Sequence, residues 1–79
     1  MSLGKMISSK RKEKHMTQEQ LADEIAVSRS AVAKWETDRG IPGGDTIVLL
    51  SRTLEIPVDQ LLLASVEPFM NSLTKSELK

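Results

Sequence analysis

The chain has no cysteine, no tyrosine, a single tryptophan, a single phenylalanine and no net charge. Each absence excludes something. Without cysteine there is neither a disulfide staple nor a thiolate metal site, and the lone histidine, His15, cannot assemble a zinc cluster by itself. A strand-rich domain draws on aromatic and β-branched residues, and Trp35 and Phe69 are few for that purpose. The longest apolar run falls far short of a membrane span. The basic N-terminus is followed by no long apolar region of the kind a secretory signal carries. No histidine, cysteine or serine constellation supports nucleophilic catalysis, and Gly43-Gly44 lacks the lysine and spacing of a phosphate loop. These absences set the expectation of a soluble, cytoplasmic chain with no catalytic residue, no cofactor, no metal and no membrane partner.

What is present favours one helical domain. The 79 residues suffice for one hydrophobic core, and Leu, Ala, Glu, Lys, Met and Gln, all good helix formers, are plentiful. The zero net charge hides an asymmetry. Residues 1–40 hold eight Lys/Arg and six Asp/Glu, a balance of +2, and residues 41–79 hold three and five, a balance of −2. Lys10-Arg11-Lys12 and Lys14 concentrate the positive groups. That pattern fits a solvated helix face as well as it fits an anionic partner.

Local signals divide the chain into five short helices and a tail. Met1-Ser2-Leu3 reads as a leader of little structural weight. The first helix runs from about Gly4 to Lys14, with Leu3, Met6, Ile7 and Lys10 at helical spacing, charges on the other side, and His15 at its end. Thr17 followed by Gln20 forms a capping box that opens the second helix, whose apolar face is Leu21, Ala22 and Ile25. Ser28 caps a third helix that carries Ala31, Val32 and Trp35 to about Thr37. Only Ala26 and Val27 separate the two, so they meet at a steep angle. Asp38 to Gly44 is a loop by its composition. Asp45 is expected to cap a fourth helix with Ile47, Val48, Leu50 and Leu54, and Pro57 to open a fifth from Val58 to about Leu63. Glu67-Pro68 could start a sixth helix with Phe69, Met70 and Leu73 on one side, or the tail could be frayed.

The informative stretch is Thr17 to Glu36. Two capped helices joined by a tight turn share Leu21, Ile25, Val27, Val32 and Trp35 as core, and small Ala22 lets them approach closely. The outer face of the second of them is left with Arg29, Ser30, Ala33 and Lys34, small or basic side chains behind a helix N-terminus. This is what a helix needs to enter a DNA major groove.

These residues resemble the helix-turn-helix family of Cro and the phage repressors. The match runs through Arg11, Thr17-Gln18, Leu21-Ala22, Val27-Ser28-Arg29-Ser30 and Trp35-Glu36. It continues through Gly40, Pro42, Leu50, Leu54 and Asp59-Gln60-Leu61-Leu62, covering about residues 4–63. The chain departs from the pattern at Ala26, where a turn glycine is usual, at Lys10, where an apolar residue is usual, and at Gly43-Gly44. The lysine is expected to lay its stem over the core with its amine in water. The resemblance implies an all-α, compact five-helix lambda-repressor-like domain over 4–63, with 64–79 a tail or short sixth helix, possibly dimerising. It implies sequence-specific binding of double-stranded DNA by a bacterial or phage transcriptional regulator, more often a repressor. In that frame Arg29, Ser30 and Lys34 face bases, while Gln18, Ser28, Thr37 and Arg39 meet the phosphate backbone. Arg11 and Glu36 form a structural ion pair, and Trp35 belongs to the core.

A homodimer on a two-fold site is expected, with Leu61, Leu62, Leu63, Val66, Phe69, Met70 and Leu73 as its apolar surface. The competing arrangement folds that tail back on its own domain. A different class of function keeps the same fold but binds a protein partner, a toxin or RNA polymerase, and the zero net charge keeps it in play. Steep salt dependence of binding would separate the DNA reader from the adaptor.

Overall fold

The computed structural model describes residues 2–66. They form α1 (Leu3–Glu13), α2 (Gln18–Glu24), α3 (Arg29–Glu36) and α4 (Gly44–Leu54), followed by α5, which covers residues 58–66. No strand occurs among the described residues. The all-helical, five-helix expectation holds. The tail from residue 67 onward, with the suggested sixth helix, lies outside the described residues.

The helix starts follow the side chains that can accept a hydrogen bond. The Gln20 amide donates to Thr17 Oγ1 at 3.0 Å and the Thr17 amide to Gln20 Oε1 at 2.8 Å, completing the capping box. Ser28 Oγ accepts from the Ala31 amide at 3.1 Å. Two starts differ from expectation. Asp45 does not cap α4; Gly43 holds that position without a side-chain bond, and Asp45 stands in the first turn, where its charge still suits the helix dipole. Ser2 and Leu3 are not an inert leader. Ser2 Oγ caps α1 by accepting from the Lys5 amide, and Leu3 is buried in the core.

The helix ends share one device. His15, Ala26, Asp38 and Glu55 are left-handed, with φ of 58°, 59°, 58° and 55°. The amide after each bonds back into the helix just closed: Met16 to the Arg11 carbonyl, Val27 to Ala22, Arg39 to Lys34 and Ile56 to Ser51. This satisfies carbonyls that the last turn leaves without partners. None of the four is glycine, and each carries a left-handed strain of about 1 kcal/mol. Ala26 therefore keeps the turn that glycine usually makes. Replacing it with glycine relieves that strain and frees the unfolded chain, two effects of opposite sign. Ala26→Gly is expected to raise stability by less than about 1 kcal/mol. A thermal melt that fell instead would show that Ala26 is unstrained.

Every helix contributes to one core. Ile7, Leu21, Ile25, Val32, Leu50, Leu54 and Leu61 are fully buried, and Trp35 is nearly so. Ala22, also buried, permits the close approach of α2 to α3. Lys14, the cap of α1, pairs with Glu55 at the end of α4. Lys10 leaves the amine half in solvent near Glu13, at 3.7 Å. α5 runs past Leu63, where it was expected to stop. Its three leucines divide: Leu61 is in the core, while Leu62 and Leu63 are 47% and 63% exposed. Leu61 is thus withdrawn from the apolar dimer surface expected of it, because the helical period turns it inward.

Candidate nucleic-acid interface

The two faces of α3 have separate tasks. Val32 and Trp35 lock one side into the core. The other side presents Arg29, Ser30, Lys34 and Thr37, all exposed, around half-buried Ala33. The helix is short and capped at both ends, so this face is presented on a rigid element. Arg39, exposed, follows the left-handed stop at Asp38.

An ion pair fixes the edge of that face. Arg11 Nε donates to Glu36 Oε2 at 2.7 Å and Nη2 to Oε1 at 3.0 Å, a two-point contact joining α1 to the last residue of α3. Arg11 Nη1 also donates to the Met16 carbonyl at 2.7 Å, tying the α1–α2 connection into the same group. Gln18 Nε2 donates to Glu36 Oε1 at 3.0 Å. Both members of the ion pair are largely out of solvent. Burial alone would push the Glu36 carboxyl up. Hydrogen bonds from Arg11 and Gln18, with the attraction of Arg11 and Lys12, outweigh it and hold Glu36 below its ordinary value. The hydrogen bond to Glu36 in turn raises the Arg11 guanidinium.

The lowered Glu36 has a consequence for pH. Its contribution to stability is present above the ordinary carboxylate range and is lost as the pH falls through its lowered value. Wild-type stability is expected to decline below about pH 4, and Glu36→Gln should show a shallower decline. Urea titrations at a series of pH values measure both slopes; parallel slopes would mean that Glu36 titrates as it does in the unfolded chain.

The structure brings Gln18, Ser28, Arg29, Ser30, Lys34, Thr37 and Arg39 onto the ends and outer face of α2 and α3, but their hydrogen bonds differ. Ser28 uses an oxygen lone pair for its cap, so its proton remains to be donated. Thr37 donates its hydroxyl to the Ala33 and Lys34 carbonyls at 3.0 and 3.2 Å, so it must release the helix before gripping anything else. Gln18 commits one N–H to Glu36 and keeps its second N–H and its main-chain amide. The link from Gln18 to Glu36 is not visible in the sequence. Gly4 was also unforeseen: its amide donates to Asp38 Oδ1 at 3.0 Å, pinning the start of α1 to the end of α3. A glycine inside an otherwise good helix was the available signal.

The chain is similar to known proteins in sequence and in fold. The HTH-type transcriptional activator BcrR of Enterococcus faecalis is 36% identical over 62 residues, covering 78% of this chain and 30% of that protein. The cryptic phage CTXphi transcriptional repressor RstR of Vibrio cholerae serotype O1 is 34% identical over 61 residues, covering 77% and 54%. The chain thus spans 30% and 54% of the length of these two curated relatives. Among solved structures, the P22 c2 repressor in complex with synthetic operator 9T superposes with a TM-score of 0.76 at 30% identity. That match covers 81% of this chain and 97% of the repressor chain. The solution structure of the P22 c2 DNA-binding domain gives 0.73 at 31% identity, over 78% and 82%. Residues 7–61, from within α1 to within α5, match the sequence pattern of the helix-turn-helix family, and the chain belongs to that family.

Proposed function

We propose that this chain binds double-stranded DNA sequence-specifically, with α3 in the major groove, as a cytoplasmic, non-catalytic transcriptional regulator of a bacterium or phage. The observation that carries the reading is α3 itself: Val32 and Trp35 hold it from behind while Arg29, Ser30 and Lys34 stand exposed on one side. The similarity to a repressor solved with its operator supports it. Arg29 is positioned to read a guanine through two hydrogen bonds, Lys34 to read a guanine or neutralise a phosphate, and Ser30 to meet a base edge. Gln18, Ser28 and Arg39 grip the backbone, joined by Thr37 if its hydroxyl turns out. Repression by occupancy is the commoner outcome among such domains.

One domain reads few base pairs, so the working unit is a homodimer with half-sites about 34 Å apart or a multiple. Val58, Leu62 and Val66 recur every fourth residue on the exposed side of α5 and supply part of its apolar surface. Phe69, Met70 and Leu73 lie outside the described residues. A sedimentation experiment giving only monomer at high concentration, with and without DNA, would remove the dimer.

Selection of bound sequences from random duplexes tests the whole reading, and a palindromic consensus is expected. Arg29→Ala should relax preference at one base pair by about 1–3 kcal/mol. Arg39→Ala should weaken binding to all sequences alike. If nothing is enriched, or Arg29→Ala alters neither affinity nor preference, α3 is not the reading helix. Binding insensitive to salt would favour a toxin or polymerase as partner instead.

A further inference from the structure

We infer that a shallow groove on α1, lined by Lys5, Ser8, Ser9 and Lys12 and bordered by Glu36 of α3, is a phosphate-binding strip that carries the DNA contact beyond the two helices of the reading unit. The inference rests on the DNA-binding reading and extends it to a helix that otherwise serves as a brace.

Three observations lead to it. The four α1 residues follow the spacing i, i+3, i+4, i+7, so they occupy one face of the helix. That face is cationic and available. Among the described residues the ion pairs join Lys10 to Glu13, Arg11 to Glu36 and Lys14 to Glu55, and Lys5 and Lys12 take part in none of them. Both lysines are exposed. Finally, the groove adjoins the reading helix directly. Glu36, which accepts from Gln18, is part of its lining, and α1 is pinned against the end of α3 by the Gly4–Asp38 hydrogen bond. Lys12 lies near enough to help lower the Glu36 carboxyl.

Glu36 does not repel an anion from the groove as a free carboxylate would, because the Arg11 guanidinium already neutralises it. The groove therefore keeps the net charge of its two lysines, with serine hydroxyls between them as further donors. Lys5 and Lys12 are about 10 Å apart along the helix axis. They cannot share one phosphate, but they can engage two on a strand that carries a charge about every 3.4 Å of rise. Because phosphates carry no base identity, the strip contributes affinity and register rather than sequence preference.

The test is the slope of log affinity against log salt, measured by fluorescence anisotropy on a mixed-sequence duplex and on a selected one. Lys12→Gln should flatten the slope by about 0.9, and Lys5→Gln with Lys12→Gln by about twice that. The selected consensus should not change, and the melting temperature should shift far less than in Glu36→Ala. Arg52→Gln, which removes an exposed charge outside the groove, should leave the slope as it is. Lysine variants as salt-sensitive as wild type would overturn the strip and leave the DNA reading standing. So would an Arg52 variant that flattens the slope equally, since bulk charge would then be the cause. A wild-type chain that binds neither duplex would overturn both.

Discussion

Glu36→Ala is expected to cost about 3 kcal/mol of stability, which in a domain of this size lowers the unfolding midpoint by roughly 12 °C or more. The reason lies in what is left behind. Arg11 and Glu36 are 11% and 6% exposed. Removing the carboxylate strips Arg11 of both its contacts to Glu36 and leaves only the bond to the Met16 carbonyl. The Gln18 amide loses its acceptor as well. A charge held out of water without its partner is far worse than a neutral side chain in the same place. Since the whole domain is stable by something on the order of 4–12 kcal/mol, this one change removes a large fraction of it. Replacing both members, Arg11→Met with Glu36→Leu, should cost clearly less than the two single losses added together, because no charge is then stranded. Chemical denaturation of the four proteins completes the cycle. A Glu36→Ala loss below about 1 kcal/mol, the range of exposed pairs, would show that the pair behaves as a surface contact.

Gly4→Ala should be comparably damaging, with a loss of about 3 kcal/mol from overpacking. A methyl group on Gly4 would stand 2.5 Å from the Trp35 carbonyl oxygen, 2.8 Å from that of Glu36 and 2.8 Å from Asp38 Oδ1. Two of these are main-chain atoms that cannot swing aside. α1 must then lift from the end of α3, and the Gly4–Asp38 hydrogen bond is strained with it. The contrast is Gly44, in the first turn of α4, where an added methyl meets nothing within 4 Å. Gly44→Ala should gain about 0.5 kcal/mol from helix propensity alone. Thermal melts of the pair give opposite shifts if the crowding at Gly4 is real. Two shifts in the same direction would mean that α1 is free to relax.

Most of the helices and the exposed outer face of α3 could be read from the chain because their signals are local or periodic. Thr17 and Gln20 lie three residues apart, and the apolar residues of α3 recur every three or four. The resemblance paired Arg11 with Glu36 across sequence distance, which no local pattern does. What escaped notice depends on contacts between distant segments. Gly4 looked like an ordinary first residue until the end of α3 was found pressed against it. Leu3 shares the helical spacing of Met6 and Ile7, but Ser2 cannot be told from a leader until the helix it caps is known to start at Leu3. Asp45 was a reasonable cap by residue type, but the helix starts two residues earlier, and Gly43 reaches the extended backbone a cap requires. In α5 three adjacent leucines hid which one points inward; the helical phase, set by packing, selects Leu61.

The left-handed stop at Ala26 has a consequence for the speed of recognition. With Val27 bonded to Ala22 and Ala26 held at a φ of 59°, the angle between α2 and α3 belongs to the free chain. Under the proposed function, a duplex arriving at α3 meets a finished surface, and association forfeits little ordering entropy at the turn. If Arg29, Lys34 and Arg39 act as proposed, encounter is paced by diffusion and their steering charge, and not by a folding step. A side chain at the stop also narrows the conformations open to the unfolded turn relative to glycine. That narrowing lowers the entropy lost on folding and partly offsets the strain of holding Ala26 left-handed.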